Sequence, residues 1–336
     1  ASEKLGLEYT YPHLAVANVA TDESISYELD IQQVKQRVAQ AEKIVLFIHG
    51  ITGETESLLP CMQRAKVEVA GEEKSLVQEC DLILSFDYEN LHTTIEENAR
   101  LLKQRLEAVG LGENHGKQLQ IIAHSMGGLV SRWFIEREGG NKIVNHLIML
   151  GTPNAGSPLA TVEDWAIMLL TLKLNNLSTV ALPVKLLGNL LATIETIDVS
   201  LDQMEPGSDF LKTLAASPDP GIPYSIIAGN NSIASENNNE NLQQIIQKLG
   251  IKVRNLAFFN QPNDDCVSVS SITSVNSNRN PQPQIYQTGS NHMSYFSDEQ
   301  GLKAIATALM GNHNQPNNSF NLFSAIGKRV SNRGKN

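Results

Sequence analysis

Cysteine, aromatic residues and positive charge are all scarce in this sequence of 336 residues. The three cysteines, Cys61, Cys80 and Cys266, are too few for a disulfide framework and have no spacing typical of a metal site. A sparse, odd set of this kind favours a reducing compartment, and we expect a cytoplasmic protein. The formal net charge of -10 argues against nucleic acid and against an anionic membrane surface as the main partner.

Long apolar runs are missing as well. No uninterrupted apolar run reaches about 18 residues, so we predict no membrane-spanning helix. The sequence opens with Ala-Ser-Glu-Lys, without an initiating Met or a basic-then-apolar signal segment, which leaves open that it is part of a longer chain. Hydrophobic residues nevertheless make up 41% of the sequence, enough for the large core of a single α/β domain with insertions.

Short apolar runs of strand length alternate with helical patterns along the chain. The helical patterns are Ile31–Ala41, Ser57–Val69, Thr94–Val109 and Gly128–Glu138. This alternation predicts an α/β fold, with a mostly parallel central sheet and helices on both of its faces. The predicted strands are Lys43–His49, Asp81–Tyr88, Gln118–Ala123, Val144–Leu150, Pro223–Ala228 and Ile285–Thr288.

The same patterns divide the chain into three segments. Residues 1–40 are predicted to form an N-terminal arm or short strand pair followed by a helix, and residues 41–311 the main domain. Residues 312–336 are rich in asparagine and then basic, which is typical of a flexible tail. A leucine-rich, mostly helical insertion at about 157–215 interrupts the main domain.

Ser125 follows the third predicted strand directly, in the stretch IIAHSMGGLV (121–130). Small residues, Ala123 and Gly127, lie two positions before and two positions after it. This is the pattern of a nucleophile elbow, a sharp strand-to-helix turn that presents one serine for covalent chemistry on an acyl group. A buried serine in an ordinary tight turn is the alternative, so the partners of Ser125 decide between the two.

A serine hydroxyl is a weak nucleophile until a base, nearly always histidine, takes its proton. In doubly wound hydrolases the chain order is serine, acid and then histidine, which places both partners after Ser125. Of the three histidines that follow, His146 lies inside a predicted strand and His313 in the asparagine-rich tail. His292 comes just after the last predicted strand, and we therefore expect it to be the base.

The acid is expected in the segment Asn260–Ser271, where polar turn residues precede two adjacent aspartates. Asp264 is the first candidate and Asp265 the alternative, because two adjacent carboxylates cannot both face one imidazole. An Asx turn that caps a strand is the structural explanation for whichever aspartate is not the acid.

An acyl transfer reaction also needs two preorganised N–H groups for its oxyanion. The residue after the nucleophile, Met126, provides one of them. The loop after the strand that ends at His49 provides the other, which we assign to the N–H of Ile51 because Gly50 lets the backbone approach a substrate. His49 itself is expected to shape this loop and not to act as the base.

The sequence also resembles a known family. Most of the chain, about residues 43–310, is similar to the α/β-hydrolase lipases and esterases, most nearly to the lipase-like set that includes GPI inositol-deacylase-like proteins. The resemblance implies an α/β-hydrolase fold with a lid insertion and a triad of Ser125, Asp264 and His292. The sequence departs from the family at Asp265, where glycine is usual, and at Ala123, where many members have glycine. The similar pieces are FIHGITG (47–53), IIAHSMGGLVSRWF (121–134), LIMLGTPNAGS (147–157), DQMEPGSDFL (202–211), NDDCVSVSS (263–271) and SNHMSYF (290–296).

Together these observations predict a serine hydrolase that cleaves carboxylic esters, with a lipid or another acyl ester as its substrate and no metal or organic cofactor. The leucine-rich insertion would supply an apolar wall for an acyl chain and a surface for transient membrane contact. Two alternatives stay open: an acyltransferase that uses the same triad, and a non-catalytic module that binds lipid or a partner protein.

Overall fold

Apolar runs of the sequence form the strands of one central sheet. In a computed structural model, the residues described are 11–51, 54–89, 92–159, 164–165, 168, 199–233 and 260–311. All six predicted strands are confirmed within one or two residues at their ends. The sheet strands are β1 (His13–Val19), β2 (Ile25–Glu28), β3 (Lys43–Ile48), β6 (Leu82–Asp87), β7 (Gln118–His124), β8 (His146–Leu150), β9 (Tyr224–Gly229) and β10 (Gln284–Thr288), and β4 (Lys66–Val69) and β5 (Glu72–Ser75) form a separate pair.

The sheet has eight strands in the order β10-β9-β8-β7-β3-β6-β1-β2. Strands β3 and β6 to β10 are parallel, whereas β1 is antiparallel to both β6 and β2. The chain runs from β3 outwards to β6 and then returns to the other side of β3 at β7. The carboxyl ends of β3 and β7 are therefore the topological switch point of the sheet, the edge where ligands of open α/β sheets usually bind.

Helices cover the sheet on both faces, as the buried strands require. Alternate residues of β3 enter different clusters: Ile44, Leu46 and Ile48 pack on one face, and Val45 and Phe47 on the other. The helices of the described residues are α1 (Ile31–Gln40), α2 (Cys61–Arg64), α3 (Ile95–Ala108), α4 (Met126–Arg137), α5 (Val199–Met204), α6 (Asp209–Ala215), α7 (Val269–Ile272) and α8 (Glu299–Met310).

The predicted helix at Ser57–Val69 is wrong. A short 3₁₀ turn and α2 occupy its first part, and β4 begins at Lys66 and pairs with β5. Valines alternate with charged residues in β4, and Ala70 and Gly71 both have positive φ, 55° and 85°, which is the turn geometry of a tight hairpin. The alternating pattern and the turn outweigh the helical spacing of the apolar residues.

The N-terminal segment forms the predicted strand pair, and β1 and β2 extend the central sheet beyond β6. Most of the predicted insertion at 157–215 lies outside the described residues; α5 and α6 form its described end, in agreement with the predicted helical character. The predicted tail at 312–336 also lies outside them.

Candidate active site

Ser125 lies in a sharp turn between β7 and α4. Its φ of 53° and ψ of -126° put a non-glycine residue in a strained backbone region, and its N–H donates to the carbonyl of Leu150 at 2.9 Å. The turn brings α4 against neighbouring backbone. A Cβ added to Gly127 would lie 2.3 Å from the carbonyl oxygen of His49, and one on Gly128 would lie 2.0 Å from Oγ1 of Thr152. Positions 127 and 128 therefore have no room for a side chain.

His292 and Asp264 form a buried pair. Nδ1 of His292 and Oδ2 of Asp264 are 2.7 Å apart, and the N–H of His292 donates to the carbonyl of Asp264, also at 2.7 Å. A carboxylate can only accept, so Nδ1 carries the proton and Nε2 is left as the acceptor. Among the described residues, neither Nε2 of His292 nor Oγ of Ser125 has a hydrogen-bond partner.

The carboxylate of Asp264 accepts four hydrogen bonds. Its Oδ1 receives the N–H groups of Cys266 and Val267 at 3.1 and 2.7 Å. Its Oδ2 receives Nδ1–H of His292 and, at 2.8 Å, the hydroxyl of Tyr295. These four donors hold the buried carboxylate in one orientation towards His292.

Asp265 takes no corresponding place beside His292. Its backbone turns through a φ of 78°, and its N–H donates to Oδ1 of Asn263 at 2.8 Å, as in an Asx turn. Burial, and next the charge of Asp264, raise the pKa of Asp265 to about 7. Of the two predicted aspartates, it is Asp264 that the structure brings together with His292.

The loop after β3 lies against the turn that carries Ser125. A Cβ added to Gly50 would be 2.8 Å from Cβ of Ser125, and both Ile51 and Met126 are buried. Nδ1 of His49 lies 2.7 Å from the carbonyl oxygen of Gly50, to which it donates. The N–H of Ile51 shares a peptide plane with that carbonyl and points the opposite way, away from the His49 ring.

His49 is itself held firmly. Its ring stacks on Tyr88 at a centroid distance of 4.4 Å, and the Tyr88 hydroxyl donates to the His49 carbonyl at 2.9 Å. The N–H of Tyr88 donates to Nε2 of His49 at 3.3 Å, which leaves the ring proton on Nδ1. Burial lowers the pKa of His49, so a neutral ring is favoured here. The structure thus places His49 in the loop, with its ring nitrogens engaged by backbone groups.

His146 and His124 are also buried, but their ring nitrogens contact groups other than the carboxylate of Asp264. His146 is buried between Oε1 of Gln120 at 2.9 Å and Oγ of Ser225 at 3.0 Å, which confirms the expected packed residue. His124 precedes Ser125, so the expected chain order of serine, acid and histidine excludes it as the base. Its Nε2 donates to the carbonyl of His292 at 2.8 Å, and burial, followed by the proximity of His292, lowers the pKa of His124 to about 3. His124 is therefore neutral and supports the loop of His292.

Trp165, from the insertion, covers this group of residues. Its ring centroid is 5.4 Å from that of His292, and Trp165 and Met168 are both buried in the core. Ser125 and His292 are each only 1% exposed. In this arrangement, a substrate reaches the serine only if the covering side chains move.

The described part of the chain contains no cluster of three or more His, Cys, Asp or Glu side chains arranged to hold a metal ion. Within the same residues, no helix combines the length and the apolar character needed to cross a membrane. His313, which the sequence placed in the tail, lies outside the described residues.

A family profile described as "Domain of unknown function (DUF7379)" matches residues 14–310. The chain belongs to the DUF7379 family. No curated protein matches the sequence of this DUF7379 member. The nearer resemblance to GPI inositol-deacylase-like proteins stays a prediction.

Solved structures show the fold of this DUF7379 domain. The propeptide form of lipase BlEst2 from Bacillus licheniformis is 16% identical, with a TM-score of 0.51 over 83% of this chain and 52% of that one. The mature form of BlEst2 gives 16% identity, a TM-score of 0.46 and coverages of 80% and 89%. Esterase Pf2001 from Pyrococcus furiosus is 13% identical, with a TM-score of 0.47 over 92% of both chains. The fold is an α/β-hydrolase fold.

Proposed function

We propose that this protein is a serine hydrolase that cleaves carboxylic esters, of lipids or other acyl compounds, through an acyl-enzyme on Ser125. The observation that carries the proposal is the buried Asp264–His292 pair. Nε2 of His292 has no partner in the described part of the chain, and its loop is tied to His124, the neighbour of Ser125. The strained backbone of Ser125 supports the same role, because nucleophile elbows hold their serine in such a turn.

In the proposed reaction, Oγ of Ser125 attacks the ester carbonyl while Nε2 of His292 takes its proton. Asp264 holds the ring in the required tautomer and balances the positive charge that forms on it. The N–H groups of Ile51 and Met126 bind the oxyanion, and His49 contributes by holding the Gly50–Ile51 peptide plane. The C–O bond then breaks as His292 passes the proton to the leaving alcohol.

Deacylation repeats these steps with water. His292 takes a proton from a water molecule, the resulting hydroxide attacks the acyl-enzyme, and Oγ of Ser125 leaves with the proton returned by His292. The products are a carboxylic acid and an alcohol, and the enzyme returns to its starting state. Every proton in this cycle is carried by a residue of the chain, so the chemistry needs no cofactor.

The test is a chain-length series of p-nitrophenyl esters with the parent protein, Ser125→Ala and Ser131→Ala. We expect Ser125→Ala to lower kcat by at least about 10⁴-fold, because the nucleophile is lost. Ser131 is the matched control, a buried serine in α4 whose hydroxyl donates to the carbonyl of Gly127 at 2.7 Å. Its replacement by alanine should leave kcat within about twofold of the parent.

Two outcomes would contradict the proposal. Absence of turnover by the parent would favour a binding module, and turnover that survives Ser125→Ala would exclude this serine as the nucleophile. Product analysis with an added alcohol separates hydrolysis from acyl transfer, since a transferase forms mainly the new ester and a hydrolase mainly the free acid.

A further inference from the structure

Tyr295 bridges two structural elements that meet at Asp264. It is fully buried in the turn between His292 and α8. Its hydroxyl lies 2.7 Å from the N–H of Gly229, the last residue of β9, and 2.8 Å from Oδ2 of Asp264. The same Oδ2 accepts Nδ1–H of His292. Tyr295 therefore contacts the carboxylate oxygen that orients the base.

The direction of both hydrogen bonds of Tyr295 is fixed by its partners. A backbone N–H can only donate, so the Tyr295 oxygen accepts from Gly229 and its own proton is left for Asp264. Burial, and next the charge of Asp264, raise the pKa of the Tyr295 hydroxyl well above its usual value. The hydroxyl consequently stays protonated, and remains a donor, at neutral and moderately alkaline pH.

The glycine at the end of β9 makes this bridge sterically possible. A Cβ added to Gly229 would lie 2.7 Å from the Tyr295 hydroxyl oxygen and 2.7 Å from Cβ of Asp264. A Cβ on Gly151 would lie 2.8 Å from Oδ2 of Asp264 and 2.9 Å from the Tyr295 ring. The absence of a side chain at Gly229 and at Gly151 thus leaves room for the Tyr295 hydroxyl beside the Asp264 carboxylate.

We infer that Tyr295 is a positioning residue for the reaction proposed above: its hydroxyl aims Oδ2 of Asp264 at His292 and limits the negative charge that this oxygen presents to the ring. The inference rests on the proposed function. Without the hydroxyl, Oδ2 keeps His292 as its only donor among the described residues and faces it with more charge, which favours the protonated ring. A protonated ring cannot accept the proton of Ser125, so activity then requires a higher pH.

Of the other titratable groups around Tyr295 and Asp264, two stay neutral and one, Asp265, can change its charge during a pH profile. His124 packs edge-on against Tyr295 at 6.2 Å and stays neutral, since its pKa is about 3. Burial raises the pKa of the Cys266 thiol well above its usual value, so the thiol is neutral as well. Asp265, with a pKa of about 7, titrates in the neutral range and so adds its own charge change to a pH profile measured there. The pH profiles are therefore measured both in the parent and in an Asp265→Asn background.

The test compares Tyr295→Phe with Tyr224→Phe. Tyr224 is a matched control because it is also fully buried and its hydroxyl also donates to a buried carboxylate, Oε1 of Glu136, at 2.9 Å. Each protein is measured for kcat, KM, the pH at which kcat/KM reaches half its maximum, and the midpoint of thermal unfolding. Labelling by a fluorophosphonate, which reacts with activated serines, counts the competent sites in each sample.

We expect Tyr295→Phe to lower kcat by about 10- to 100-fold with little change in KM, which is the range for a lost hydrogen bond to a charged group. The half-maximal pH should rise by roughly half a unit or more, in both backgrounds. Tyr224→Phe should lower the unfolding midpoint to a similar extent but leave kcat and the half-maximal pH unchanged.

Site-specific incorporation of 3,5-difluorotyrosine at position 295 provides a second measurement that does not remove the hydroxyl. Fluorination makes the phenol more acidic and hence a stronger donor, so the half-maximal pH should move down instead of up. This variant keeps the inference testable if Tyr295→Phe fails to fold.

The outcomes separate the inference from the proposed function. If the parent turns over esters and reacts with the fluorophosphonate while Tyr295→Phe matches Tyr224→Phe in kcat and pH profile, Tyr295 is only structural and the inference is overturned. If the half-maximal pH of the difluorotyrosine protein equals that of the parent, the inference is also overturned. If the parent neither turns over esters nor reacts with the probe, the proposed function fails, and the inference fails with it.

Discussion

Asp265 combines two unfavourable features in one side chain. Its φ of 78° is uncommon for a residue with a Cβ, and its carboxyl lies beside that of Asp264 in a partly buried place. Burial and the neighbouring charge raise its pKa from 3.8 to about 7. The folded state thus binds this proton more tightly than the unfolded state does, and the free energy of unfolding falls as the pH rises from about 4 to about 7.

We predict that Asp265→Asn removes this loss of stability. Asparagine tolerates positive φ and carries no charge, so parent and variant should be equally stable near pH 4. At pH 8 the variant should be more stable, by roughly 1–2 kcal/mol after allowance for solvent screening of a partly exposed carboxyl. Urea unfolding at the two pH values measures the difference. Asp22→Asn, at an exposed carboxyl, should give no gain at pH 8.

A difference between parent and Asp265→Asn that is the same at both pH values would contradict this explanation, because backbone strain does not depend on pH.

The choice between Asp264 and Asp265 shows a limit of prediction from sequence. Two adjacent aspartates are chemically identical, whereas in the structure the backbone turn at Asp265, with its φ of 78°, leaves only Asp264 facing His292.

Glu136 joins three elements through one buried carboxylate. In α4, Arg132 donates to it at 2.9 Å; Tyr224 of β9 donates at 2.9 Å, and Arg279, from the segment before β10, at 2.5 Å. All four side chains are buried. Because two guanidinium groups depend on one carboxylate, its charge stabilises the packing of α4 against the β9–β10 edge of the sheet.

We predict that Glu136→Gln lowers the free energy of unfolding by about 3–5 kcal/mol, since it leaves two buried cations without their anion. The control is Glu97→Gln, which breaks the exposed pair with Arg100 in α3 and should cost less than about 1 kcal/mol. Urea denaturation of both variants provides the comparison. Similar decreases in the free energy of unfolding of the two variants would show that burial of the Glu136 network does not increase its contribution to stability.

Periodicity predicted the elements that are long or fully apolar, and missed those defined by a turn. The pattern of Thr94–Val109 became α3 because its apolar stripe is continuous and Thr94 caps the first turn, accepting from the N–H of Glu97 at 3.1 Å. In Ser57–Val69, the spacing of the apolar residues fits a helix as well as that of Thr94–Val109 does. The strand pair that forms there depends on Ala70 and Gly71, which lie beyond the predicted segment.

The arrangement of the whole site follows from topology and could be predicted only in part. Chain order and the fold resemblance point to Ser125, Asp264 and His292, which lie at the ends or in the loops of different strands. The contacts of His124 and Tyr295 could not be predicted in this way, because hydrogen bonds to a carbonyl and a carboxylate depend on the packed positions of β7, β9 and the final turn.

At the level of the complete protein, the predicted insertion contributes Trp165, whose ring lies against that of His292. The chain has two tryptophans. Trp165 covers His292, whereas Trp133 stacks on Phe210 at 5.2 Å, on the α4 side of the molecule. If the insertion supplies an apolar wall for the acyl chain, as we propose, the two tryptophans should differ in their effect on chain-length preference.

We predict that Trp165→Ala lowers the ratio of long-chain to short-chain ester hydrolysis by about 10-fold, since apolar surface for the acyl chain is lost. Trp133→Ala, its matched control, should leave the ratio unchanged. Trimming residues 162–192 should reduce activity towards long-chain esters in the same selective way. Equal losses on short and long esters would show instead that these residues only pack on the core.

The distance in sequence between the two halves of the site has a consequence for biosynthesis. His124, next to the serine, and His292 are 168 positions apart in the chain and meet only in the folded sheet. At typical elongation rates the serine leaves the ribosome on the order of ten seconds before His292, its proposed base, is made. Under the proposed mechanism, the nascent polypeptide carries an unactivated serine during that interval, and we expect no ester cleavage by an incomplete chain that ends before residue 292.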